Sequence, residues 1–153
     1  MGRALPPNGE LITLEIDPAH AAVARQNLER AGMADRVQAW VAPAAESLAK
    51  LIAAHVKPFD LVFIDADKAS IDSYFLAALN LSRVGTVIVV DNVVRKGEVI
   101  DAESADANVL GVRRLVDLLS HEHRVSATAI QTVGSKGYDG LVIAVVIADP
   151  GTG

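Results

Sequence analysis

FDLVFIDADK, residues 59–68, sets an apolar run, Leu61-Val62-Phe63-Ile64, directly against two carboxylates and an amine, Asp65, Asp67 and Lys68. A short apolar run of this kind reads as a buried strand. A second run, Thr86-Val87-Ile88-Val89-Val90, ends the same way, in Asp91-Asn92. If the two strands are parallel neighbours they lie about 4.8 Å apart. Asp65, Asp91 and Asn92 then converge at the sheet edge where open α/β folds bind ligands.

The flanking sequence supplies the alternation that makes parallel pairing the expected arrangement. Residues 11–16, LITLEI, read as a strand, and Asp17-Pro18 then offers an N-cap followed by a proline at the first helical position. That helix is expected to reach about Ala31 and to stop at Gly32. Residues 37–41 form a second strand, followed by a helix entered at Pro43 and running to about His55. Pro58 punctuates before the strand at 59–64. A helix from Ser70 to about Asn80 then leads through Arg83 and Gly85 into the strand at 86–90. Residues 93–106 are polar and expected to be loop. Val109, Val112, Leu115, Val116 and Leu119 recur at helical spacing over 107–120. Residues 124–130 and 140–147 read as an antiparallel hairpin turning through GSKGYDG, 134–140. Strands alternating with helices imply βαβ units with right-handed crossovers. One domain over 1–148 is expected, with a flexible tail at 149–153.

Composition narrows the function classes. A chain of 153 residues with 51% hydrophobic residues and a mean hydropathy of +0.32 is long and apolar enough to fold around one core. A net charge of −5 and a pI near 5.3 argue against nucleic acid or an anionic membrane as partner. The sequence has no cysteine, which excludes disulfides, thiolate nucleophiles and Cys-ligated zinc. No apolar run is long enough to span a bilayer, and no charged-then-apolar leader pattern opens the sequence. A soluble cytoplasmic protein is the expectation.

Two carboxylates held close together repel unless a proton, a basic residue or a metal ion neutralises them. Ligation by Asp65, Asp91 and the amide oxygen of Asn92 favours a hard cation, Mg²⁺ or else Mn²⁺ or Ca²⁺, over zinc. Lys68 follows Asp65 by one turn. An ammonium near a cation loses its proton more readily, which suits a general base near neutral pH. A simpler assignment has Asp67 and Ser70 capping the next helix and Lys68 solvated. Capping is the expectation for Asp67, and ligation for Asp65, Asp91 and Asn92 together. Glu15 stands near the end of LITLEI, where Rossmann-like folds place an acid on the ribose hydroxyls of a nucleoside cofactor. The glycine-rich turn that ought to precede it is absent, since MGRALPPNGE reads as the end of a helix and a turn.

VFIDADK resembles the opening motif of the haloacid-dehalogenase phosphatases, an apolar strand ending in Asp-x-Asp. That family continues with Thr or Val and an aliphatic residue and opens the domain with the motif. Here Ala69-Ser70 follows and the motif sits mid-chain, so the phosphatase is a minor alternative.

LITLEIDP (11–18), FDLVFIDADK (59–68) and GTVIVVDNVVRKGEV (85–99), in this order and spacing, resemble the cation-dependent O-methyltransferases, the family of catechol and caffeoyl-CoA O-methyltransferases and their bacterial relatives. The resemblance implies an α/β, Rossmann-like methyltransferase sandwich, a mostly parallel sheet with a C-terminal antiparallel hairpin. It implies S-adenosylmethionine as cofactor, with Glu15 on the ribose, Ala45 in the 42–46 loop beside the adenine, and Asp65 adjoining. It implies a divalent cation, Mg²⁺ or similar, at Asp65, Asp91 and Asn92, and Lys68 assisting deprotonation of the acceptor hydroxyl. The sequence departs from the family at Ala42, where Gly is common, and at Ser70-Ile71, where Asn-Tyr is. The first change is expected to narrow the cofactor loop and the second to alter acceptor contacts. The family's first strand, its glycine-rich loop and the helices before them have no counterpart. That strand would lie between those at 11–16 and 59–64, in the centre of the sheet, so an N-terminally truncated chain is expected, both neighbours losing ladder hydrogen bonds.

The reaction so implied moves a methyl group from the sulfonium to one oxygen of a catechol-like phenol chelated by the cation, with Lys68 taking the proton. The rest is alignment. The alternative is a catalytically silent fragment serving as a binding or dimerisation module, and family resemblance implies a homodimer. Other candidates are weaker. His121 and His123 of HEH, His20 and His55 lack the spacing of helical metal ligands. Gly134, Gly137 and Gly140 read as turn residues because no helix follows them to complete a phosphate cradle. Trp40 reads as packing.

Overall fold

The computed structural model describes residues 1–135 and 137–149. Lys136 of the expected turn and residues 150–153 of the expected tail lie outside the described residues. The chain divides into two compact units, Met1–Ala53 and Ala54–Gly153.

The first unit contains a 3-10 turn, Gly2–Ala4, followed by β1 (Leu11–Glu15), α1 (Pro18–Arg30), β2 (Val37–Val41) and α2 (Ala44–Ala53). The punctuation read from the sequence holds. Asp17 accepts from the backbone N–H groups of Ala19 and His20, at 2.7 and 3.4 Å, and so caps α1. Gly32 takes φ +65 just past its end, a conformation that costs glycine little. β1 and β2 pair in parallel, from Leu11↔Val37 to Glu15↔Val41.

The second unit runs β3 (Phe59–Ile64), a 3-10 turn (Lys68–Ser70), α3 (Ile71–Asn80), β4 (Ser82–Asp91), a 3-10 segment (Arg95–Ile100), α4 (Ala107–His121), β5 (Val125–Gly134) and β6 (Gly137–Val146). Its sheet has the order β3-β4-β6-β5, with β3 and β4 parallel and the two remaining pairings antiparallel. Alternate residues, Thr86, Ile88 and Val90 on β4 and Val142, Ala144 and Val146 on β6, are buried on one face. Ile71, Phe75 and Leu79 of α3 and Val112 and Leu115 of α4 complete that core. β1 and β3, the strands expected to flank a missing one, belong to separate sheets.

Three segments differ from the sequence expectation. β4 begins at Ser82 rather than Thr86; its register against β3 shifts between Phe59 and Leu61, and Gly85 at φ +91 accommodates the irregularity. The hairpin is longer than its apolar pattern, because the backbone ladder continues through polar and glycine residues to Gly134↔Gly137. Residues 95–100, expected as loop, form the 3-10 segment, in which Arg95, Lys96 and Gly97 have positive φ. Among the described residues no helix is long and apolar enough to cross a membrane.

Candidate active site

The β3–β4 register brings Asp65 and Asp91 to adjacent strand ends. Ile64 pairs with Val90, and the next residues on the two strands are Asp65 and Asp91. They therefore stand one step beyond the same rung on adjacent parallel strands, about 4.8 Å apart in the pairing direction. Asn92 follows at φ +58, a left-handed conformation that Asn tolerates better than most residues. Its N–H donates to Asp91 Oδ1 at 2.7 Å, fixing the start of the turn. No group of three His, Cys, Asp or Glu gathers among the described residues. Asp65, Asp91 and Asn92 are two carboxylates and an amide, residue chemistry that fits a hard cation.

Lys68 is buried, 5% exposed, rather than solvated. Its Nζ donates to Ala66 O at 2.9 Å and to Asp65 Oδ1 at 3.3 Å, the partners a buried ammonium needs. The turn that carries it packs against α4 at Gly111. A Cβ on Gly111 would lie 1.9 Å from the Lys68 carbonyl oxygen. Arg114, one turn further along α4, donates from Nη2 to Ala69 O at 2.5 Å and from Nε to Asp72 at 3.0 Å. Burial would raise the Asp72 carboxyl, but the bond and charge of Arg114 prevail and hold it below its ordinary value.

Asp67 has a structural task, as expected. Its Oδ2 accepts from Ser70 N at 3.1 Å and its Oδ1 from the Tyr74 hydroxyl at 2.7 Å. Tyr74 is the main cause of a carboxyl held below its usual range. Burial, and then Asp67, push the Tyr74 hydroxyl up.

Glu15 and Ala45 belong to the first unit. Glu15 ends β1; its Oε1 accepts from Asp17 N at 2.9 Å, and its Oε2 lies 3.9 Å from His20 Nδ1. The backbone of Ala42 donates to Glu15 O at 3.1 Å, joining the ends of β1 and β2, and Ala45 sits in the first turn of α2. The strand ends therefore present Glu15, and the helix start Ala45, from one parallel pair.

Sequence reasoning missed Gly111, Arg114, Tyr74 and Asp139. Gly111 carried a signal: glycine inside a helix costs about 1 kcal/mol relative to alanine, which calls for a packing reason. Asp139 gave no such signal. It lines, with Asn92, Lys96 and Tyr138, an open depression of about 420 Å³.

Residues 1–146 match the family model described as O-methyltransferase. The chain belongs to the O-methyltransferase family. A catechol O-methyltransferase of Niastella koreensis is 50% identical over 146 residues, covering 95% of this chain and 66% of that relative. The crystal structure of the Bacillus cereus O-methyltransferase in complex with SAH superposes with a TM-score of 0.92 at 53% identity, over 95% of this chain and 66% of that one. TomG of Streptomyces achromogenes, an O-methyltransferase involved in tomaymycin synthesis and solved with SAM, gives 0.93 at 48% identity, over 96% and 66%. This O-methyltransferase chain thus has the Rossmann-like methyltransferase fold and spans about two thirds of the length of these relatives.

Proposed function

We propose that this O-methyltransferase chain serves the transfer of a methyl group from S-adenosylmethionine to a hydroxyl of a catechol-like acceptor, with Mg²⁺ or a similar divalent cation at Asp65, Asp91 and Asn92. One observation carries the reading: Asp65 and Asp91 follow the same β3–β4 rung, with Asn92 adjoining and Lys68 buried against Asp65. The name of the N. koreensis relative and the SAH and SAM in the two crystal structures support the acceptor and the cofactor.

When bound, the cofactor supplies an electrophilic methyl group and the cation a Lewis acid for the acceptor oxygens. The two carboxylates beside one ammonium leave a net negative charge for a cation, and Asn92 adds a neutral oxygen donor. Lys68, once it stands as the free amine, receives the acceptor's hydroxyl proton at Nζ and becomes the ammonium, in a position fixed by Ala66 O and Asp65 Oδ1. Glu15 takes the ribose hydroxyls and Ala45 borders the adenine. No side chain forms a covalent intermediate, so the remaining acceleration is alignment of oxygen, methyl and sulfur. The partner is a small phenol rather than nucleic acid or a membrane, and a homodimer is part of the same proposal.

Incubation with S-adenosylmethionine, catechol and Mg²⁺, read by mass spectrometry, tests this. Monomethylated catechol is expected, abolished by a chelator and by Asp91→Asn. Equal product without metal, or no binding of the cofactor by calorimetry, would overturn it. One observation favours a second reading, binding without turnover: among the described residues β1 pairs with β2 alone and β3 with β4 alone. Cation and cofactor would then bind with no methylated product. The phosphatase alternative is displaced by family membership and by Asp67, whose oxygens are taken up by Ser70 and Tyr74.

A further inference from the structure

We propose that Asp139 is a positioning residue for Asn92, acting through the strap that leaves β4; this rests on the reading of Asn92 as a cation ligand. Four of the residues in this strap have positive φ, Asn92 at 58°, Arg95 at 53°, Lys96 at 55° and Gly97 at 89°. Side chains other than glycine resist that conformation, so it persists only where the surroundings impose it. Within the strap, the buried Arg95 Nε has no hydrogen-bond partner among the described residues.

The constraint comes from the start of β6. A single oxygen, Asp139 Oδ1, accepts from Val94 N at 3.0 Å, Arg95 N at 3.1 Å and Gly140 N at 2.9 Å. Val93 N donates to Gly140 O at 3.0 Å, and the Tyr138 hydroxyl donates to Lys96 O. Residues 93–96 are therefore each tied to 138–140. The fit leaves no slack: a Cβ on Gly140 would lie 2.5 Å from Val94 Cγ2, and one on Gly97 2.5 Å from the Tyr138 hydroxyl oxygen. The last β4–β6 rung is Asp91↔Leu141. Asn92 is the one residue between that rung and the first tie at Val93, so both its neighbours are held. Oδ1 of Asp139, engaged by three N–H donors, braces the strap instead of ligating a cation. A neutral amide is a weaker ligand than a carboxylate, and its contribution depends on being held in place beforehand.

The test compares wild type, Asp139→Ala, Asp139→Asn and Val133→Ala, the last at an exposed site on β5. Amide exchange at Val94 and Arg95 is read by NMR without metal, and Mn²⁺ affinity by calorimetry. Asp139→Ala is expected to speed exchange at both amides and to weaken Mn²⁺ binding about 10–100-fold. Asp139→Asn, whose amide oxygen still accepts, restores most of both, and Val133→Ala changes neither. If Asp139→Ala is too unstable to study, Tyr138→Phe, which removes the tie to Lys96, shows the same two effects in smaller degree. Unchanged exchange overturns the brace. Faster exchange with unchanged Mn²⁺ affinity overturns the positioning role and leaves the cation site standing. A wild-type chain that binds no Mn²⁺ overturns the cation site itself and the proposal with it.

Discussion

Replacing Gly111 by alanine inserts a methyl group where α4 meets the turn that holds Lys68. The new Cβ would stand 1.9 Å from the Lys68 carbonyl oxygen and 2.8 Å from its carbonyl carbon. Non-bonded contact needs about 3.5 Å, so helix and turn must part by roughly 1.5 Å. Both obstacles are backbone atoms, and no side-chain rotation relieves them. Alanine returns about 1 kcal/mol of helix propensity. Overpacking of this kind costs about 1–3 kcal/mol and occasionally more, and separation also loosens the bonds of Arg114 to Ala69 O and Asp72. Weakening the Arg114 bonds costs about 1 kcal/mol more and offsets the propensity gain, so a net loss of about 1–3 kcal/mol lowers the Tm of a chain this size by about 3–10 °C. Thermal melts followed by circular dichroism measure it. Gly134 is the control, because a Cβ there meets no atom of the described residues within 4 Å, and Gly134→Ala should stay within about 0.5 kcal/mol of wild type. A Gly111→Ala chain that melts at or above the wild-type temperature would refute the close-approach argument.

Three further outcomes follow from the same contacts. Lys68→Met should lower methyl transfer by about 10²–10⁴-fold while leaving the melting temperature within a few degrees, since the Asp65 side chain is 55% exposed and stays hydrated; retained turnover removes Lys68 from the chemistry. Hydrogen bonds from Arg124 hold the Glu122 carboxyl at about 2, below its ordinary 4.5. The folded value is the lower one, so this stabilisation is complete above about pH 4.5 and disappears as pH falls towards about 2. Glu122→Gln should therefore cost about 2–3 kcal/mol near neutral pH and almost nothing at pH 2, as read by urea melts across that window; a difference independent of pH would contradict the pairing. Tyr74→Phe removes the donor that does most to depress Asp67, so the Asp67 titration seen by NMR should move up, with about 1 kcal/mol of stability lost; an unmoved titration would show that the Tyr74 bond does not form in solution.

Local signals proved the most legible. Asp17-Pro18 and Gly32 bound α1 by chemistry confined to a few residues, and the structure keeps them. That Asp65 and Asp91 follow neighbouring ends of adjacent parallel strands was also readable, because strands with similar apolar runs end together and their next residues share an edge. What escaped was set by tertiary partners. The close approach of the Lys68 backbone to α4 depends on a glycine that sequence periodicity treats as a neutral position. The hairpin extends through residues 131–134 and 137–139 on backbone bonds, which leave no trace in hydrophobic patterning. The left-handed strap at 95–97 has only Gly97 to announce it, and its restraint comes from Asp139 on another strand.

Paramagnetic broadening by Mn²⁺ tests the central claim most directly. Substoichiometric Mn²⁺ added to the ¹⁵N-labelled chain should first broaden the amide signals of Asp65, Asp91 and Asn92, with Lys68 close behind, and Asp91→Asn should abolish that order. Broadening that begins at other acids such as Asp117 or Glu122, or that spreads evenly over the chain, would contradict a cation site at the ends of β3 and β4.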